Sequence, residues 1–370
     1  MKIAIYYDVP AGGASRTMEE QIRLLEKSHE VSVFHNLSGF NSPLLPRLFA
    51  DLESLVFQKF RQRKQARDID DQKYDIVYVS HDRHSQAPWI LRFLETPTIF
   101  LCQEPTRAYF EEFLRIDSNL PLVNRIYETI NRYFRKKVEI SNAHYATVIV
   151  ANSVYSSESI FRAYGLLSKP IHLGIDTKEY FPERVVRKNQ FLVVGNHEPQ
   201  KALPFAIEII SKIDKKTRPK LVIASPRNWD ISGLTKMAKK LHIDLDIIIG
   251  LDQAKLRKIY CQSKLTLAVA HLEPFGLSVV ESMACGTPVV AVNEGGFKET
   301  VIHGVTGLLI ERDSTIIADA LGKLLRDKEK LLKMGENGVK ESVSNFTWQK
   351  NVSELEIIFY ENRRHHRKLS

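Results

Sequence analysis

Short runs of β-branched and aliphatic residues alternate along the chain with longer stretches whose apolar positions recur every three or four residues. In the first half, KIAIYY (2–7), EVSVF (30–34), DIVYVS (75–80), PTIFLCQ (97–103) and ATVIVA (146–151) predict strands. QFLVVG (190–195), KLVIAS (220–225), DLDIIIG (244–250), LTLAVA (265–270) and TPVVAV (287–292) predict a second series. Apolar runs without alternation suit parallel strands covered on both faces, and strands separated by helices imply βαβ units. Two such series predict two Rossmann-like domains. The segment between them, GIDTKEYFPERVVRKNQ (174–190), is polar, charged and Pro-containing, as an interdomain linker would be.

Composition adds bounds. A chain of 370 residues exceeds one ordinary core, and 44% hydrophobic with 26% charged residues reads as globular. No apolar run approaches the roughly 20 residues of a membrane-spanning helix. MKIAIYYDV reads as a first strand rather than a signal peptide. Cys102, Cys261 and Cys285 have no paired spacing, which favours a reducing, cytoplasmic setting and argues against a disulfide framework or a metal site. The net charge of +9 is uneven: KFRQRKQAR (59–67) holds five basic residues, and RRHHRK lies at 363–368. In LFADLESLVFQKF (48–60), Phe49, Leu52, Leu55, Val56 and Phe60 fall near one helical face that runs into this cluster. Such a basic amphipathic segment (48–67) is expected either to grip an anionic membrane surface or to pack on the first sheet. A nucleic-acid partner is disfavoured, because no zinc-finger, RNA-recognition or recognition-helix pattern is present.

Candidate chemistry lies where predicted strands end. Gly12 and Gly13 follow the first strand and open a helix; they lack the third glycine of a dinucleotide fingerprint, which disfavours a nicotinamide enzyme. They suit either a tight turn or close approach of backbone to a ligand. His81 ends another strand and is either structural or a site residue. HLEPFGLSVVESMACGTPVVAV (271–292) reads as strand end, turn, helix over Leu277–Cys285, stop at Gly286 and next strand. The helix start at Phe275, Gly276 and Leu277 offers N–H groups and a positive dipole end to a phosphate. Glu281, one turn in, can accept both hydroxyl protons of a ribose, and Glu273 can meet hydroxyls beyond the phosphates. Ribose, diphosphate and sugar in that order describe a nucleotide sugar. NEGG (293–296) would add backbone able to approach it closely.

The segment EPFGLSVVESMACGTPVVAVNEGGFKETVIHGVTGLLI (273–310) closely resembles the retaining nucleotide-sugar glycosyltransferases of family four, with their E-x7-E motif. ANSVYSSESIFRAYG, IHLGIDTKEYFP, FLVVGNHEPQKAL and FTWQKNVSELEIIFYE resemble other parts of that family, so the resemblance spans most of the chain, most densely from Ala151 onward. It implies a GT-B fold: an acceptor domain (1–173) and a nucleotide-sugar domain (174–345) facing across a cleft. A terminal segment (346–370) would contain a helix crossing back to the first domain. It also implies hexosyl transfer with retention, without a metal or other cofactor. Glu281 would bind ribose, Glu273 the donor sugar, and Asn196 and Lys201 would take the positions of the basic pair on the diphosphate. Asn196 stands where the family has arginine, and Arg227 is a candidate substitute. Gln103 stands where related mannosyltransferases carry histidine, and cannot take a proton. The Cys-x-x-Pro segment tilts the donor towards GDP-mannose, with UDP-sugars close behind. A glycan or lipid-linked acceptor of the cell envelope is implied. A nucleotide-sugar epimerase and a non-catalytic nucleotide-sugar binder remain as alternatives.

Overall fold

The protein is described by a computed structural model, covering residues 1–10, 12–36, 47–114, 116–225 and 228–369. It divides into two compact units, Met1–Ile171 with Val352–Ser370, and His172–Asn351.

In the first unit, six strands form one parallel sheet: β1 (Lys2–Asp8), β2 (Glu30–Phe34), β3 (Ile76–Asp82), β4 (Thr98–Cys102), β5 (Val148–Ala151) and β6 (Lys169–Pro170), in the order β2-β1-β3-β4-β5-β6. Ile3 to Tyr6 and Ile76 to Val79 are fully buried, as expected of parallel strands covered on both faces. Of these strands only the two-residue edge β6 had no counterpart in the pattern; a pair containing proline carries no run to detect. The chain returns to this unit through the helix Trp348–Leu369. There Phe359 packs edge-on against Tyr78, Glu356 meets His29 at 2.8 Å, and Arg363 meets Asp75 at 2.9 Å.

The second unit holds β7 (Gln190–Val194), β8 (Lys220–Ser225), β9 (Leu245–Ile249), β10 (Leu265–Ala268), β11 (Val289–Val292) and β12 (Gly307–Ile310). Their order, β12-β11-β10-β7-β8-β9, is again all parallel. The series runs outward from β7 through β9, then restarts on its other side at β10. The switch point of the sheet therefore lies between β7 and β10, where ligands of open α/β sheets bind. β12 is the second missed strand; its run GLLI is half-exposed and follows a turn.

The expected linker 174–190 corrects in one respect: it is packed on the second unit. Ile175 N–H donates to Phe346 O, Glu183 pairs with Arg257 at 2.6 Å, and Arg187 donates to the carbonyls of Ser263 and Gly286. A Cβ on Gly174 would lie 2.2 Å from Trp348 N, so the backbones touch there. Its polarity serves ion pairs and backbone capping. The domain boundary falls before it, between Ile171 and His172.

The segment Arg47–Asp70 is helical throughout, with a five-residue π turn at Glu53–Phe57. That turn takes an extra residue, so the apolar row shifts: Leu55 turns partly inward, while Phe57 joins Phe49, Leu52, Val56 and Phe60 in solvent. The row does not pack on the first sheet. The side chain of Leu48 lies outside the described residues.

Candidate functional site

Two loops meet at the switch point of the second sheet. After β7 the chain turns at Gly195, where an added Cβ would lie 3.3 Å from Lys201 Cβ. Asn196 Oδ1 accepts the N–H of Glu198, so this side chain closes the turn. Pro199–Lys201 forms a short 3-10 turn, and Ala202 in left-handed conformation leads into the helix Leu203–Lys212. After β10, His271 N–H donates to Gln200 O at 2.6 Å and ties the two loops together. Across that tie Lys201 Nζ meets both carboxylate oxygens of Glu273, at 3.0 and 2.9 Å. Residues 72 positions apart become a bidentate ion pair because β7 and β10 are neighbours. Both side chains remain partly open to solvent.

The Glu273 loop is braced from below. Arg312 donates to the carbonyls of Val269 and Ala270 and to both oxygens of Glu294, and Glu294 also meets His271 Nδ1 at 3.0 Å. Burial pushes the Glu294 carboxyl up, but Arg312 and His271 together bring it below the ordinary value. The glycines of NEGG answer to the chain itself: a Cβ on Gly295 would lie 2.5 Å from Glu273 O, and one on Gly296 would lie 2.4 Å from Pro274 O. Their lack of side chains lets the loop 293–296 press against the loop that carries Glu273. On the sides so covered, the close approach expected towards a ligand is an approach to backbone.

The turn ends at Gly276, with φ of 97° and the Phe297 ring 2.8 Å from where a Cβ would stand, so glycine is required twice over. Leu277–Ala284 then forms the predicted helix, with no side-chain cap at its N-terminus, and Gly286 follows it in left-handed conformation. Phe275 is buried against His172 and Phe346, so its ring supports the turn. Glu281 is 2% exposed, and the Tyr260 hydroxyl donates to its Oε2 at 2.9 Å. Burial, reinforced by the Glu281 charge, holds the Tyr260 phenol far above its ordinary pKa, so it stays a donor. Glu281 is thus no solvated surface residue but a carboxylate fixed one turn inside a helix.

Lys201, Asn196, Glu273, Phe275, Gly276, Leu277 and Glu281 all belong to the second unit. Gly12, Gly13, His81 and Gln103 belong to the first. Gly12 precedes the helix Gly13–Leu25 in extended backbone, a conformation open to any residue. His81 lies within β3, and burial pushes its imidazole down to about 4. It is therefore neutral at pH 7 and offers one N–H and one lone pair there, not an imidazolium proton. Gln103 follows β4, and its buried Nε2 has no hydrogen-bond partner among the described residues. Arg227 lies outside the described residues.

Sequence reasoning missed Tyr260, Arg312 and Glu294 as site residues. Tyr260 sits in a helix at an apolar-looking position, and nothing local marks a bond to a residue 21 positions away. Arg312 follows the missed strand β12, and Glu294 was legible only as part of a glycine loop.

Residues 176–341 match the family model described as glycosyl transferases group 1. The chain is similar to N-acetyl-alpha-D-glucosaminyl L-malate synthase of Bacillus anthracis, with 26% identity over 56% of this chain and 55% of the relative. The chain spans about half the length of the curated relatives it matches. Among solved structures, sucrose-phosphate synthase from Thermosynechococcus elongatus superposes with a TM-score of 0.76 at 16% identity, covering 98% of both chains. Anabaena HepE, solved with UDP-glucose, superposes at 0.71 with 18% identity, covering 98% of this chain and 100% of HepE. These likenesses establish the fold: two Rossmann-like domains of the GT-B kind.

Proposed function

Starting from a second unit that matches the family model of glycosyl transferases group 1, we propose that this chain moves a hexose from a nucleotide diphosphate sugar to a glycan or lipid-linked acceptor. The observation that carries the reading is the meeting, at one sheet switch point, of the Lys201–Glu273 pair, an uncapped helix N-terminus and buried Glu281. That N-terminus suits a diphosphate, through its N–H groups and dipole. Glu281, held by Tyr260, is proposed to accept the ribose hydroxyls. Lys201 is proposed to exchange part of its contact with Glu273 for the departing phosphate, freeing the carboxylate for sugar hydroxyls. Charge at the leaving group is then met by Lys201 and backbone N–H groups, consistent with transfer that needs no metal. Asn196 Oδ1 is engaged in its turn, so its amide N–H₂ is the part left to reach a phosphate oxygen, without charge.

The donor sugar in this reading is glucose- or mannose-like, and the base is UDP or GDP. HepE, of similar fold, is solved with UDP-glucose, which supports the uridine side. Gln103, with its unpartnered amide nitrogen, is proposed as a hydrogen-bond donor to the acceptor or transferred sugar. Retention at the anomeric carbon rests on the family resemblance.

The test is a thermal-shift titration with UDP, GDP, ADP and their sugar conjugates, for wild type and Glu281→Ala. A ligand at 100 times its dissociation constant adds about 2.7 kcal/mol of stability. One nucleotide series should stabilise wild type and lose most of its effect in the variant. Turnover of that donor with EDTA present, and the anomeric configuration of the product, then check the finer reading. No shift with any nucleotide at millimolar concentration would refute it. Binding without turnover would leave a nucleotide-sugar binder, and sugar interconversion without an acceptor would identify an epimerase.

A further inference from the structure

The helix Leu122–Ala143 in the first unit is turned inside out up to its C-terminal end, where Ile140 and Ala143 pack on the core. A helix on a water-facing domain buries its apolar stripe and shows its polar face. Here Leu122, Val123, Ile126, Ile130, Tyr133 and Phe134 are each at least 51% exposed, while Glu128, Asn131, Glu139 and Asn142 are buried. The exposed residues recur at three- and four-residue spacing over roughly 18 Å of helix. The inversion is held by satisfied polar contacts. Glu139 accepts from the Thr106 N–H and hydroxyl and from the Tyr164 hydroxyl. Asn142 donates to Ala87 O, and Asn131, Tyr127 and Arg135 all converge on Asp51.

That convergence matters, because Asp51 lies in the segment that exposes Phe49, Leu52, Val56, Phe57 and Phe60. Two exposed apolar rows thus stand on neighbouring elements pinned through one aspartate. Both acidic residues of the helix Leu122–Ala143 point inward, so the charges on its outer side are positive: Arg125 and Lys137 are exposed and Lys136 half-exposed, while Arg132 is held by Glu128 and the carbonyls of Ala108 and Leu114. Lys137 Nζ sits 4.6 Å over the Tyr133 ring, placing a cation on the apolar row itself. On the neighbouring helix, Arg63, Lys64 and Arg67 are exposed.

We propose that these two elements together form a surface that docks the chain onto an anionic lipid bilayer, with the apolar rows in the interface and the cations at the headgroups. Apolar side chains interleaved with cations match that boundary. A second copy of the chain is a poor occupant, since it would bring the same cations face to face. The proposal is independent of the donor site, which lies in the other unit.

The experiment is flotation of the full chain with vesicles of phosphatidylcholine alone or with 30% phosphatidylglycerol, at about 0.15 M salt. Wild type should float with the anionic vesicles only. Ile126→Gln with Ile130→Gln should lower the bound fraction at least several-fold, and Arg125→Gln with Lys137→Gln by about fivefold per charge. Leu332→Gln with Ile316→Gln, an exposed apolar pair in the second unit, should leave it unchanged. All four exchanged residues of the docking face are exposed, so unaltered thermal unfolding checks that the variants fold. Absence of flotation by wild type, or flotation that survives the helix variants, would overturn the proposal. So would a dimer in light scattering that the Ile126/Ile130 variant dissolves.

Discussion

Removing one oxygen atom, in Tyr260→Phe, tests how the buried carboxylate is held. Tyr260 is fully buried, Glu281 is 2% exposed, and the hydroxyl reaches Oε2 at 2.9 Å. The ring keeps its edge contact with Tyr180, and the Tyr260 carbonyl keeps the Thr287 hydroxyl, so packing changes little. What is lost is a hydrogen bond from a neutral donor to a charged acceptor, worth about 1.5–3 kcal/mol. For a domain of 150–250 residues each kcal/mol moves the midpoint by about 2–4 °C, so a fall of roughly 3–12 °C is expected. The assay is thermal and urea unfolding of wild type, Tyr260→Phe, Glu281→Ala and the double variant. The cycle should return a coupling of about 1.5–3 kcal/mol. If donor binding works as proposed, Tyr260→Phe should also raise the donor KM more than it lowers kcat, since it disturbs ribose positioning and not the reacting bond. A midpoint within 1 °C of wild type, with additive single effects, would refute the view that Tyr260 holds Glu281.

Lys201→Gln should lower kcat by roughly 10²–10³ while costing under about 1 kcal/mol of stability, because the pair it breaks is partly solvated; steady-state kinetics beside thermal unfolding check both halves. Gly296→Ala would set a Cβ 2.4 Å from Pro274 O, with only backbone to yield, so destabilisation at or above the roughly 1–3 kcal/mol of overpacking is expected. Gly233→Ala, in a helix with nothing within 4 Å, should be neutral or stabilising in the same unfolding assay. His81, depressed to about 4 by burial, binds its proton more readily in the unfolded chain. Its contribution is present in full above the ordinary value near 6.5 and is lost as pH falls from there towards 4. Wild type should therefore lose about 2–3 kcal/mol relative to His81→Gln between pH 7 and pH 4, as read by urea unfolding.

The two sheets were legible because a parallel strand buried on both faces must be apolar without a break, as the inner strands are, and the half-buried edges β2 and β9 still carry β-branched runs between helical stretches. The E-x7-E segment was legible because its punctuation is local: a proline-glycine turn, a short helix and a left-handed glycine follow one another within a few residues. What the tertiary structure alone decided begins with the order of strands. Only when β10 lies beside β7 does Lys201 meet Glu273, and no spacing along the chain encodes that neighbour. The brace of Arg312 and Glu294, and the bond from Tyr260 to Glu281, are likewise contacts between distant segments, with no periodicity to announce them. The linker looked free by composition, yet Glu183 pairs with Arg257 and Arg187 reaches the carbonyls of Ser263 and Gly286 in its own unit. The amphipathic pattern of Leu122–Ala143 fixes two faces but not which one turns inward. That choice was made by Asp51, Thr106 and Tyr164, whose hydrogen bonds draw the polar face into the fold and leave the apolar one outside.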